Sequence, residues 1–131
     1  MKSFRQGIMQ FSVTGDRIRA SACVPADSAW YDGHFPGNPI LPGIAILALV
    51  EEAILAAEAE QKNPVVMTGV GRVRFRLPVK PDDPMILDIV RQRRKDGYAY
   101  EFTVFLGEEP ACTGVMKGEP PPGIGAAKQI P

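Results

Sequence analysis

The sequence predicts an α+β domain in which one central buried helix is wrapped by a curved antiparallel β-sheet. Three observations predict it. The stretch Ile44-Ala45-Ile46-Leu47-Ala48-Leu49-Val50 is apolar on every face of a helix, the mark of a helix with neighbours all round. Two short β-prone runs precede it and about four follow it, joined by turn-type residues. No apolar run approaches the roughly 18 residues that span a membrane. A single sheet around one helix leaves sheet edges and one helix face uncovered. A second copy of the chain would cover them, so a homodimer or higher homo-oligomer is expected.

The first two strands are expected at Ile8–Val13 and Arg17–Val24, with Thr14-Gly15-Asp16 as the turn. In the second, Ile18, Ala20, Ala22 and Val24 alternate with polar or small neighbours, as a half-buried strand requires. Residues 25–43 hold four prolines and three glycines, which preclude a regular helix or a central strand. Trp30, Tyr31, Phe35, Ile40 and Leu41 argue that this loop is packed. Pro42 suits a first helical position, and the helix runs from about Pro42 to Lys62 before Asn63-Pro64 ends it. Its second half turns polar at Glu58, Glu60, Gln61 and Lys62, which predicts emergence into solvent.

Further strands are expected within Val65–Val79, at Ile86–Arg93, at Tyr98–Leu106 and at about Ala111–Lys117. The clean alternation of Arg72-Val73-Arg74-Phe75-Arg76-Leu77 puts three arginines on one strand face. Asp96-Gly97 is a strong hairpin signal, and Glu108-Glu109-Pro110 reads as the next turn. Residues 1–117 thus form a single domain. Residues 118–131, with four prolines and three glycines, are expected as an irregular tail.

Composition narrows the function. The chain has 131 residues, enough for one core. With 45% hydrophobic and 23% charged residues it is globular rather than disordered. Fifteen basic residues balance fifteen acidic ones, which disfavours a general nucleic-acid binder. Cys23 and Cys112 are too few for a disulfide framework or a zinc site and read as free buried thiols in strand-like stretches. Residues 1–7 carry no apolar signal-peptide region, so a cytoplasmic protein without membrane insertion is expected.

One stretch carries chemistry. The single histidine, His34, stands in Gly33-His34-Phe35-Pro36-Gly37-Asn38-Pro39-Ile40-Leu41-Pro42-Gly43. Proline and glycine stiffen this loop and fix the imidazole. The loop leads straight into a helix N-terminus, whose free N–H groups and partial positive charge suit an oxygen gaining negative charge. A positioned base beside a carbonyl activator is what removal of a proton α to a thioester requires.

That eleven-residue stretch closely resembles the signature of the 3-hydroxyacyl-[acyl-carrier-protein] dehydratases of the hot-dog fold, the FabZ and FabA type. Val73-Arg74-Phe75-Arg76-Leu77-Pro78-Val79-Lys80-Pro81-Asp82-Asp83 resembles the family's second recurrent stretch, so the likeness runs from about residue 8 to residue 117. The resemblance implies that His34 is the catalytic base and that the Gly43 N–H polarises the thioester carbonyl. It implies that the Ile40 carbonyl orients the histidine. Phe35, Pro36, Gly37, Ile40, Pro42 and Ala48 would line the substrate site. The implied partner is an acyl thioester on acyl carrier protein, its chain in an apolar tunnel between two subunits. No metal or organic cofactor is implied.

The chain departs from the family at position 48. The family carries a Glu or Asp fourteen residues after the histidine, to help expel the hydroxyl as water; here that residue is Ala48. Glu52 stands about 40° around the helix from Ala48 and about 6 Å further along, and Glu51 about 60° off on the other side. Helical side chains lean toward the N-terminus, which narrows the gap for Glu52. Glu52 is therefore the candidate acid, and Glu51 is expected to be paired or exposed. The alternatives are a catalytically silent acyl-thioester binder lacking the acid, and a thioesterase, which the intact histidine loop disfavours. Arg72, Arg74, Arg76, Arg91, Arg93, Arg94 and Lys95 form either a solvated sheet face or a docking patch for an acidic carrier.

Overall fold

The computed structural model describes residues 7–32, 37 and 39–122. Two strands, β1 (Ile8–Thr14) and β2 (Arg17–Ala22), form the first hairpin. A loop with one short 3-10 turn at Ala29–Tyr31 leads to α1 (Gly43–Glu60), the one long helix among the described residues. Four more strands complete the fold: β3 (Val66–Phe75), β4 (Met85–Arg94), β5 (Gly97–Leu106) and β6 (Glu109–Glu119). All pair antiparallel in one six-stranded sheet of order β1-β2-β4-β5-β6-β3. The expected order of elements holds. The last strand begins two residues earlier than expected, because the turn is Gly107-Glu108 and Pro110 falls inside β6. Gly107 sits at φ +63, where a side chain would be strained.

The core lies between α1 and one sheet face. Ile18, Ala20 and Ala22 of β2, with Val24 just beyond it, point into it as the alternation requires. They are joined by Met85, Leu87 and Ile89 of β4 and by Tyr100, Phe102 and Val104 of β5. From the helix come Ala45, Ile46, Leu49, Val50, Ala53, Ile54 and Ala57. Small alanines let the helix lie close to the sheet. Cys112 is buried in β6, and burial raises its thiol to about 11; Cys23 lies just past β2 and is only half-buried.

Four expectations are corrected. The helix is not buried all round within the protomer: Ile44 is 68% exposed and Ala48 is exposed, one turn apart on an outward stripe. Glu58 does not emerge into solvent but is 1% exposed. Pro42 is the N-cap, extended at φ −60 and ψ 147, and Gly43 is the first helical residue. The arginine alternation is broken by a bulge between Gly71 and Arg74, with Arg72 at φ +55. The strand ends at Phe75, and Arg76 and Leu77 instead donate their N–H groups to the Ala111 carbonyl. A bulge inserts an extra residue and reverses the facing of the residues beyond it, so the three arginines do not share one face.

Candidate active site

The long loop is anchored at both ends to one segment. The Asp82 N–H donates to the Val24 carbonyl at 2.9 Å, and the Leu41 N–H donates to the Val79 carbonyl at 2.7 Å. The Tyr31 hydroxyl also donates to Val24 at 3.5 Å, and burial, then Asp83 and Asp82, push that phenol up to about 12. Ser28 caps the short 3-10 turn by accepting from the Trp30 N–H at 3.2 Å. Gly37 adopts φ +83, open to glycine and strained for other residues. Gly33, His34, Phe35, Pro36 and Asn38 lie outside the described residues, so the implied roles of His34, Phe35 and Pro36 are not located.

Leu41 is buried, while Ile40 and Pro42 are half-buried and carry the chain into α1. Pro42 brings no side-chain cap to the helix. Its carbonyl accepts from Ala45 at 2.9 Å and from Ile46 at 3.3 Å. Helix geometry leaves the N–H groups of Gly43 and Ile44 without an intrahelical acceptor, at the positive end of the dipole. The Phe75 ring covers Gly43: a Cβ there would stand 2.5 Å from the ring edge. A side chain at 43 would therefore have to displace that ring.

The outward stripe of α1 opens onto a groove of about 550 Å³ lined by Trp30, Ala48, Leu55, Ala56 and the two glutamates, Glu51 and Glu52. Glu52 is half-buried and Glu51 is exposed. Glu52 thus borders the same space as Ala48 and Trp30. A groove with apolar walls and a carboxylate at its side can hold an acyl chain and present a proton to it.

A further glutamate on the helix, Glu58, was missed as a partnered group. Glu58 accepts from Arg91 Nη1 at 2.7 Å and from the Tyr100 hydroxyl. Arg91 reaches on to Asp16 Oδ1 with Nη2 at 2.9 Å and Nε at 3.1 Å. Its backbone N–H also donates to the Asp16 carbonyl at 2.7 Å. Arg91 and Tyr100 are directly opposite each other on β4 and β5. Burial opposes the charge on Arg91, but its bonds to Asp16 and Glu58 outweigh that and raise its pKa. Burial, then the bond to Glu58, push the Tyr100 phenol well above the usual tyrosine range. Arg91 therefore leaves the basic cluster in which the sequence put it. Arg93, Arg94 and Lys95 remain beside a groove of about 750 Å³ that Tyr98 and Pro120–Pro122 also line. Tyr98 donates to Asn63 at 3.5 Å, which places this groove by the C-terminal end of α1, away from Gly43.

The fold is shared with solved structures. The dehydratase heterocomplex ApeI:P from Xenorhabdus doucetiae superposes with a TM-score of 0.67 at 20% identity, covering 85% of this chain and 95% of that one. The PaaI protein of E. coli superposes at 0.68 with 16% identity, covering 86% and 81%. These likenesses establish the hot-dog architecture. In sequence, the 3-hydroxyacyl-[acyl-carrier-protein] dehydratase FabZ of Verminephrobacter eiseniae is 34% identical over 104 residues, 73% of this chain and 69% of that protein. The model of the ApeI-like dehydratases matches residues 10–115, from early β1 to the middle of β6, and the chain belongs to that dehydratase family.

Proposed function

We propose that this dehydratase removes water from a 3-hydroxyacyl thioester carried on acyl carrier protein, in fatty-acid-type metabolism in the cytoplasm. The His34 imidazole takes the α-proton, and the electron pair of that C–H bond becomes the new C=C bond. The thioester oxygen gathers charge as the proton leaves and is held by the Gly43 N–H at the start of α1. The C–O bond at the 3-position breaks with its pair on oxygen. Glu52 protonates that oxygen, so that water departs rather than hydroxide. The products are a 2-enoyl thioester and water.

The observation that carries this reading is the arrangement along α1. The N-terminus of α1, to which Pro42 brings no side-chain cap, follows a loop held at Val24 and Leu41, and Glu52 lines the same groove as Ala48. The protein is proposed to act as a homodimer joined along β3, the strand at one end of the sheet. Val66 and Val70 on that strand are exposed and would be covered. Ala48 favours a second reading, a silent acyl-thioester binder. An assay separates the two: purified protein with 3-hydroxyacyl carrier protein, and with the matching coenzyme A ester, is followed for 2-enoyl thioester. Turnover on the carrier-bound substrate supports the first reading. Binding without turnover on either supports the second.

A further inference from the structure

The helix meets the sheet almost wholly through apolar groups. Of its eight buried residues, seven are Ala45, Ile46, Leu49, Val50, Ala53, Ile54 and Ala57. Apolar contact is non-directional, and alanines present little relief, so such a surface resists sliding weakly. The eighth residue is Glu58. Its two oxygens are held separately, one by Arg91 of β4 and one by Tyr100 of β5. Arg91 is itself held by the β1–β2 turn through Asp16. This is a directional contact tied to the sheet at three elements.

We infer that Glu58 is a positioning residue: clamped by Arg91 and Tyr100, it sets the axial register of α1 on the sheet and so the place of the Gly43 amide and the Glu52 carboxylate. Glu58 lies fifteen residues from Gly43, about 22 Å along the axis, and six from Glu52, about 9 Å. A helix transmits an axial shift along its length. A buried ion pair specifying register is the best-attested use of such pairs. Misplacement by about 1 Å at a reacting centre costs on the order of 100-fold in rate.

The test uses the full chain. The double variant Glu58→Leu/Arg91→Met replaces the pair with apolar groups of similar volume, a change that buried pairs often tolerate. Glu58→Gln retains groups that can bond both partners. The kinetic arm rests on the proposed dehydration. The double variant is expected to keep its circular dichroism and cooperative melting. Its kcat should fall about 10- to 100-fold with KM changed less than about threefold, and Glu58→Gln should stay within about threefold of wild type. The second arm needs no activity: in protein labelled with 15N-glycine, the Gly43 amide peak should move in the double variant and stay in Glu58→Gln. A double variant with wild-type kcat and an unmoved Gly43 peak overturns the inference. If wild type shows no turnover, the proposed reaction fails and the Gly43 peak alone decides. If the double variant does not fold, Tyr100→Phe replaces it. A shifted Gly43 peak in that variant supports the clamp, and an unshifted one overturns it.

Discussion

Glu52 and Glu58 stand six residues apart on one helix and live in opposite surroundings. Glu58 is enclosed by the sheet, with each oxygen bonded to a different strand. Glu52 is half-buried on the outward stripe and lines a groove together with Trp30. A buried carboxylate with its bonds filled holds elements together and has little left to give a ligand. A carboxylate beside an open, apolar-walled space has access to one. The same helix thus carries two kinds of surface along its length: its outer stripe lines an open groove, and its C-terminal end is bolted to the sheet.

The largest effect is expected at the reactive end. His34→Ala should lower turnover of a 3-hydroxyacyl thioester by about 10²–10⁴-fold, the usual worth of a general base, while melting stays near wild type. The bolted end should respond in the reverse way. Arg91→Ala strands Glu58 inside the fold and should cost about 3–5 kcal/mol of stability in a urea titration. Gly43→Ala should cost about 1–3 kcal/mol, because its Cβ would stand 2.5 Å from the Phe75 ring. The nearest contacts of that Cβ are all with this ring, so Phe75→Ala should recover most of the loss. The smallest effect belongs to Asp16→Asn. Its side chain is 56% exposed, and an exposed ion pair is worth about 0–1 kcal/mol. A loss well above that would make Asp16 an integral part of the buried cluster.

Most of the fold was legible because it rests on periodicity. Ile18, Ala20, Ala22 and Val24 announced an inward strand face and are all buried. The packing of the loop before α1 was legible at its described ends, where Tyr31 and Leu41 are apolar in sequence and buried in the fold. The buried cluster was missed because charge was read residue by residue. Yet Val50, Ile54 and Glu58 recur at helical spacing, which carries the buried stripe through Glu58. Met85, Leu87, Ile89 and Arg91 alternate along β4, which turns Arg91 inward. Two opposite charges on inward positions were a pairing signal. The arginine face at 72–76 failed for another reason: bulges depend on register with β6, which local alternation does not encode. The exposure of Ile44 and Ala48 also concerns neighbours, since an apolar helix face is closed only by whatever packs on it.

The most direct test of the account is the rate of the chemical step in Glu52→Gln, measured by single-turnover dehydration of a 3-hydroxyacyl thioester on acyl carrier protein with enzyme in excess. Glutamine keeps the shape of the side chain and removes its proton-donating acid. The account predicts that wild type forms the 2-enoyl thioester and that Glu52→Gln forms it at least about 100-fold more slowly with unchanged circular dichroism. Equal rates in the two proteins would contradict it and remove Glu52 from the reaction.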